Sequence, residues 1–320
     1  MDTISSDARP FRIGFLLIDG FALMSYASAI EPLRAANLLA EHMLYDIRHI
    51  HAEGRAARSS SGAEVPAIEV QDAGTDHDMV LVVAGGDPMQ FTNERVLGWL
   101  RRLDRQGVVL GGVSGGPAVL ANAGLMAGRR MTIHWEHMPA LLERHPDLLL
   151  EKALFVLDRN RVTCAGGSAP LDLMHALIAL HHGQAFARGV SDWFMHTEVR
   201  PSAGPQRAGL VERYGTTNGA ILLAIEVMET HISDPLDLGQ LAGFAGVSER
   251  QLNRLFREKM GRSAMAFYRS LRLGKARNLI QTSSVPLTEI ALATGFASSA
   301  HFSNAYSAEF GAPPSQVRRQ

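Results

Sequence analysis

Hydrophobic positions in the first two hundred residues alternate between short apolar runs and stretches with helical periodicity. Apolar runs predict strands over 12–18, 45–51, 79–84 and 108–112, and a pair of short strands within 153–164. Apolar residues at helical spacing predict helices over 24–39, 92–105 and 171–182, the last of which is expected to close the domain. Apolar strands that alternate with helices favour a parallel sheet covered on both faces. We therefore expect a doubly wound α/β domain over residues 10–195.

The last hundred residues show helical periodicity alone. An opening helix is predicted over 217–232 and a longer one over 263–281, with an all-helical domain spanning 218–320. Residues 196–217 are expected to form the linker, because residues 200–217 hold two prolines and three glycines. In the longer helix, the residues predicted to face inward are Phe267, Leu271 and Leu279. Those predicted to face solvent are Arg269, Arg272 and Lys275.

Residues 241–261 have the pattern of two helices joined by a tight turn. Gly246 can end the first helix in the left-handed conformation, and Ser248 can cap the second, with Gln251 in the capping-box position. Leu252 and Phe256 define an apolar face, while Arg, Gln and Asn side chains occupy the remaining surface. Such a helix suits a DNA major groove, because these side chains match the hydrogen-bonding edges of bases.

The chain repeats this hairpin. The offset between matching residues is 49 up to the glycine of the turn and 50 after it. The residues of the first copy are Leu241, Ala242, Gly246, Leu252, Phe256 and Gly261, and their counterparts in the second are Ile290, Ala291, Gly295, Phe302, Tyr306 and Gly311. The second turn is therefore expected to be one residue longer. A tandem repeat predicts two helix-turn-helix units, and the helix between them would fix their separation. Recognition helices in successive major grooves lie about 34 Å apart.

Residues 218–320 resemble the paired DNA-binding domain of AraC-family regulators, whose C-terminal signature is similar to IALATGFASSAHFSNAYSAEFGAPP. The resemblance implies binding to double-stranded DNA, contact with RNA polymerase and a homodimer. The predicted DNA-contacting residues are Ser248, Arg250, Gln251, Asn253, Arg254, Arg257, Ser298, Ser299, His301 and Asn304. Asn304 and Ala308 stand where the family usually has basic residues. We therefore expect the first unit to supply most of the affinity.

Charge narrows the nucleic-acid surface to one region. The chain has 31 basic and 32 acidic residues, yet residues 245–277 hold nine basic and two acidic ones. This imbalance indicates a local polyanion site. Cys164 is the only cysteine, which excludes a disulfide within the chain. No signal-peptide pattern or membrane-length apolar stretch is evident, so the expected location is the cytoplasm.

Gly112–Gly116 carries the most suggestive chemistry of the α/β domain. The run GVSGG satisfies the G-x-S-x-G spacing of a nucleophile elbow, in which a strained turn exposes the central side chain beside backbone N–H groups. His134 follows twenty residues after Ser114. A hydrolase that uses Ser114 and His134 is therefore one hypothesis. His134, Glu136 and His137 lack the spacing of a zinc motif, so no metal is expected.

Residues 10–190 resemble the class I glutamine amidotransferase-like fold of the PfpI type, which favours a different hypothesis. In that family the elbow carries a cysteine, which Ser114 replaces in this chain. The family also has an acidic residue at the position that Ser25 occupies here. No acidic partner for His134 is evident in the sequence, so the resemblance implies a degenerate catalytic site that has become a binding pocket. The predicted ligand-binding residues are Gly20, Phe21, Ser25, Ser114, Gly115, His134 and Trp135.

The two domains together resemble regulators that respond to arginine, glycine betaine or carnitine. Such effectors carry a carboxylate and a cation, which backbone N–H groups at the elbow and the ring of Trp135 would suit, although Trp135 could equally be a packing residue. The predicted function is a sequence-specific transcription activator controlled by a small nitrogenous metabolite, without a cofactor. A constitutive DNA-binding protein, with the first domain used for dimerisation, is a third hypothesis.

Overall fold

The computed structural model describes residues 9–282 and 285–317 and divides the chain into two compact units. The division falls between Gln206 and Arg207. The N-terminal stretch 1–8, on which the signal-peptide expectation partly rested, lies outside the described residues. Among the helices that the structure describes, none has the length and apolar character needed to cross a membrane.

The first unit is built on a seven-stranded sheet with the order β10-β11-β7-β6-β1-β2-β5. Its neighbours pair in parallel except β10 and β11, which are antiparallel. Two small two-stranded sheets, β3-β4 and β8-β9, accompany it. The strands are β1 (Phe11–Leu17), β2 (Tyr45–His51), β3 (Ala56–Arg58), β4 (Glu64–Pro66), β5 (Ile68–Glu69), β6 (Met79–Ala84), β7 (Val109–Ser114), β8 (Arg130–Met131), β9 (Leu149–Leu150), β10 (Phe155–Asp158) and β11 (Arg161–Cys164).

Helices cover both faces of this sheet, which confirms the predicted doubly wound fold. They are α1 (Leu23–Ala40), α2 (Glu94–Arg105), α3 (Gly116–Asn122), α4 (Met138–Arg144), α5 (Ala169–His182) and α6 (Gln184–Trp193). One hydrophobic cluster contains buried residues of α1, α5 and α6, and a second contains those of α2, α3 and α4. Every residue of β6 is buried, as expected for a central strand between two helical layers.

The prediction that the helix over 171–182 closes the domain was wrong. Gly183 ends α5 at φ +86°, and α6 follows directly. Ala187 and Val190 of α6 are buried in the same cluster as α1 and α5.

The second unit is all-helical, as predicted, and has two separate hydrophobic clusters, one for each helix-turn-helix unit. The spacer helix α11 contributes Tyr268 to the first cluster and Leu273 to the second. The helices are α7 (Leu210–Tyr214), α8 (Gly219–Thr230), α9 (Leu238–Phe244), α10 (Glu249–Met260), α11 (Ala264–Thr282), α12 (Leu287–Ala293), α13 (Ser299–Phe310) and α14 (Pro314–Val317).

The predicted faces of α11 need correction. Phe267, Leu271 and Leu279 are half-buried at the edges of the two clusters, whereas the buried stripe is Tyr268, Leu273, Ala276 and Ile280. Arg272, predicted to face solvent, is half-buried instead, because its guanidinium group contacts the second helix-turn-helix unit.

Candidate DNA-binding surface and effector site

The first helix-turn-helix unit comprises α9, a four-residue turn and α10. Gly246 has φ +67°, and the Val247 N–H donates to the Ala242 carbonyl at 3.1 Å, which closes the end of α9. The Ser248 Oγ then accepts the Gln251 N–H at 3.3 Å as the N-cap of α10. These contacts aim α10 away from α9 and leave most of its polar side chains exposed.

The second unit reproduces the first position by position, as the repeat predicted. Leu241 and Ile290 are both 0% exposed, and Gly295 has φ +73° beside the +67° of Gly246. The Phe296 N–H donates to the Ala291 carbonyl at 2.8 Å, and Ser298 caps α13 through the His301 N–H at 3.2 Å. Five residues separate α12 from α13, one more than separate α9 from α10.

Most of the predicted DNA-contacting side chains are accessible. Those exposed on α10 or at its N-cap are Ser248, Arg250, Gln251, Arg254 and Arg257. Those exposed on α13 or at its N-cap are Ser298, Ser299, His301 and Asn304. Asn253 differs, because it is half-buried and its Oδ1 accepts the Ala264 N–H at 3.1 Å. That contact assigns Asn253 a structural part at the start of α11.

In the α/β unit, Ser114 ends β7 in the conformation of a nucleophile elbow. Its φ is +59°, which L residues rarely adopt. A Cβ added to Gly116 would lie 1.9 Å from the Val82 carbonyl oxygen, so only glycine permits the helix after Ser114 to pack this closely on β6. The Gly115 N–H donates to the Ala84 carbonyl at 2.9 Å and is therefore not available to a ligand.

Three other segments surround Ser114. The Ser25 Oγ accepts the Gly167 N–H at 2.7 Å, and a Cβ added to Gly166 would lie 2.7 Å from the Ser114 Cβ. The His134 N–H donates to the Ser114 carbonyl at 3.3 Å. The structure thus brings together Ser25, Ser114 and His134, which are far apart in the chain.

The sequence did not reveal the acidic neighbour of His134. The Glu136 carboxylate lies 3.8 Å from the His134 Nδ1. Burial lowers the pKa of His134, and Glu136 opposes this shift. The Trp135 ring is 37% exposed, with its centroid 5.3 Å from that of His134. An aromatic face and a carboxylate therefore flank the histidine.

Two of the predicted ligand-binding residues have other surroundings. Phe21 is 0% exposed and packs edge-on against Tyr26 in the core, so burial removes it from the predicted ligand contacts. The backbone of Gly20 lies close to Gly85: a Cβ added to Gly85 would lie 2.5 Å from the Gly20 carbonyl oxygen. Within the described part of the chain, no three His, Cys, Asp or Glu side chains are grouped so that they could hold a metal ion.

The segment 196–206, part of the expected linker, belongs to the α/β unit and is hydrogen-bonded within it. The fully buried Asp172 carboxylate accepts bonds from His196 and from both the backbone and the guanidinium of Arg200. Arg200 also donates to the Ser168 Oγ at 3.0 Å. The Gln206 amide donates to the Ile133 carbonyl at 3.1 Å. The segment therefore contacts the chain next to both Gly167 and His134.

Fold and sites together define a class of protein: an α/β unit with a nucleophile elbow, followed by two helix-turn-helix units. Residues 11–180 match the model of the DJ-1/PfpI family, and residues 241–320 match a helix-turn-helix domain model. The chain is 50% identical over 318 residues to the HTH-type transcriptional regulator GlxA of Rhizobium meliloti, covering 99% of this chain and 98% of that protein.

Two further comparisons agree. The HTH-type transcriptional regulator CdhR of Pseudomonas aeruginosa is 41% identical over 304 residues, which are 95% of this chain and 90% of that protein. A crystal structure of an AraC family transcriptional regulator from Pseudomonas putida matches 58% of this chain and 100% of its own, at 27% identity and a TM-score of 0.53. This chain belongs to the AraC-type transcriptional regulators with an N-terminal DJ-1/PfpI domain, and it is a DNA-binding transcription regulator.

Proposed function

We propose that this regulator is an activator whose DNA binding is controlled by a small nitrogenous metabolite, an amino acid or a quaternary amine, bound beside the elbow. The observation that carries the proposal is Ser114 at φ +59°. A residue with a side chain costs about 1–3 kcal/mol in such a conformation, and at Ser114 this strain occurs at the end of a buried central strand, next to Gly166 and His134. The retained elbow therefore favours a binding role for this unit over a role in dimerisation alone.

Two features favour a binding site over a hydrolase. An elbow hydrolase stabilises its oxyanion with the N–H of the residue after the nucleophile. Here that residue is Gly115, whose N–H donates to Ala84. Ser114 itself is only 6% exposed. A substrate carbonyl would therefore lack the donor that makes acyl transfer fast.

The residues around His134 suit an effector that carries a cation. The partly exposed Trp135 can stack on an ammonium or guanidinium group, and Glu136 adds a negative charge close by. Because the Gly115 N–H is engaged and Ser114 is almost fully buried, the effector's carboxylate would be received by His134. This arrangement fits the zwitterionic effectors that the family resemblance implies.

On the DNA side, the proposed contacts are the exposed polar residues of α10 and α13, with the protein acting as a homodimer that contacts RNA polymerase. The signal would leave the elbow through the segment 196–206. Gln206 bonds to the residue before His134, and Arg200 bonds to the residue after Gly167. If the effector broke the Gln206 bond or the Arg200 bond, the conformation of the segment 196–206 would change. This segment lies immediately before the all-helical unit in the chain. Coupling requires that the effector bind the two arrangements with different affinities.

Thermal unfolding of the full chain against a panel of amino acids, betaines and carnitine tests the proposal. A compound that binds, present at a concentration a hundredfold above its dissociation constant, should stabilise the protein by about 2.7 kcal/mol. Trp135→Ala should weaken that response, whereas Trp193→Ala, at a half-exposed tryptophan on α6, should leave it unchanged. An effector that is recovered chemically altered would support the hydrolase instead. A hit whose presence leaves DNA affinity unchanged would contradict the regulatory role.

A further inference from the structure

Arg272 lies at the junction between the spacer helix and the second helix-turn-helix unit. Its Nε donates to the Thr294 carbonyl at 2.8 Å, and its Nη2 donates to the Gly295 carbonyl. Its guanidinium carbon lies 4.3 Å from the centroid of the Phe296 ring. A single side chain therefore contacts each of the first three residues that follow α12.

These contacts satisfy two carbonyls of the turn, which lie beyond the last residue of α12. The terminal carbonyls of α12 itself accept from N–H groups of the turn, as when the Phe296 N–H donates to Ala291. The planar fork of arginine can donate to two carbonyls and stack on a ring at once, which lysine cannot do. Arg272 thus fixes the turn at several points.

The turn leads directly into the second recognition helix. Phe296 packs against Phe302 with ring centroids 5.3 Å apart and against His301 at 5.6 Å. His301 is exposed near the start of α13, where base-reading residues of such helices lie. A contact chain therefore extends from Arg272 through Phe296 to a side chain that can reach DNA.

The first helix-turn-helix unit lacks an arginine that binds its turn in this way. At the offset of 49 residues, the counterpart of Arg272 is Leu223, which is 48% exposed on α8. Helix α8 contains no basic residue, and Val247 stands at the position of Phe296. The arginine contact is therefore a property of the second unit alone.

We infer that Arg272 is a positioning residue for DNA reading: through Thr294, Gly295 and Phe296 it sets the orientation of α13, and so determines base specificity in the half of the site that the second unit contacts. Its part in DNA binding is indirect, unlike that of exposed basic residues, which contact phosphates. Arg269, one turn earlier on α11 and exposed, offers the matched comparison.

The test uses the full chain and a random double-stranded DNA library, from which bound duplexes are selected and sequenced. Arg272→Gln should remove base preference in one half of the selected motif and keep it in the other. Binding to the duplex preferred by the wild type should fall about tenfold, the order expected for the loss of one base-reading contact. Arg269→Gln should lower affinity and salt dependence while keeping the complete motif.

A purely structural effect is separated by two further measurements. Arg272→Lys should restore part of the base preference, and the thermal midpoints of both variants should stay within a few degrees of the wild type. If Arg272→Gln does not fold, Arg272→Lys alone must weaken preference in one half-site. Unchanged preference in both halves, or equal loss in both, would overturn the inference.

Discussion

The two helix-turn-helix units share a scaffold but differ in the surface that they present to DNA. Counterpart positions have the same burial and the same left-handed glycines. On the exposed side, Arg250, Arg254 and Arg257 of α10 are replaced in α13 by Ala300, Asn304 and Ser307. The repeat therefore preserves the residues that position a recognition helix, whereas these three basic residues are present on the first recognition helix and absent from the second. The second copy is instead held by Arg272 of α11, which binds the turn before α13.

The turn glycines provide the largest expected difference between the copies. Both have positive φ, so alanine at either position should cost about 1 kcal/mol or more. A Cβ at Gly295 would also lie 2.7 Å from the Ile232 carbonyl oxygen, whereas one at Gly246 would meet nothing within 4 Å. Gly295→Ala should therefore lower stability by about 3 kcal/mol. Native-state hydrogen exchange of α12 and α13 in the full chain measures it, and equal losses at both glycines would refute the clash.

Tyr306 and its counterpart Phe256 provide a second contrast. The Tyr306 hydroxyl is buried and has no hydrogen-bond partner among the residues that the structure describes. Because an unsatisfied buried hydroxyl costs about 1–3 kcal/mol, Tyr306→Phe should leave stability unchanged or raise it by about 1 kcal/mol. A clear loss of stability in calorimetry of the full chain would show that the hydroxyl has a partner.

The same residue carries a pH dependence. Burial raises the pKa of Tyr306 above its unfolded value of about 10. The folded state therefore holds the proton more tightly, and the stability that this contributes is present below pH 10 and is lost as pH rises beyond it. Tyr306→Phe should reduce the alkaline loss of stability. Calorimetric scans between pH 8 and pH 11 compare the two chains, and identical profiles would contradict the assignment.

The helix caps should behave alike, because Ser248 and Ser298 make equivalent bonds. Alanine at either position should destabilise its recognition helix by about 1 kcal/mol. Hydrogen exchange at the first turn of α10 and of α13 measures each loss. If only one replacement has an effect, the two helices do not begin in the same way.

Asn304→Arg gives the second helix the residue that the first has at position 254. The exposed side chain should add one phosphate contact, so the salt dependence should steepen by about 0.9 in logarithmic slope. A filter-binding titration on the duplex preferred by the wild type at several salt concentrations measures the slope. An unchanged slope would show that position 304 does not face the DNA backbone.

The sequence predicted what depends on periodicity and on glycine. The central strands, the tandem repeat and the elbow followed from apolar runs, equal spacing and the GVSGG segment. It could not predict contacts between distant residues. Arg272 belongs to a polar stretch of α11 and looked exposed, yet it binds carbonyls about twenty residues away. Asn253 was predicted to contact DNA, whereas its Oδ1 accepts the Ala264 N–H. Even for the nearby pair His134 and Glu136, the sequence could not show that the local backbone brings the two side chains together.

The most direct test of the asymmetry is the salt dependence of DNA binding by two matched variants of the full chain, Arg254→Asn and Asn304→Ala. Both side chains are exposed at counterpart positions. If the first unit supplies most of the ionic affinity, Arg254→Asn should flatten the logarithmic slope by about 0.9, while Asn304→Ala should leave it unchanged. The opposite result, a slope that changes only with Asn304→Ala, would contradict the division of labour between the two units.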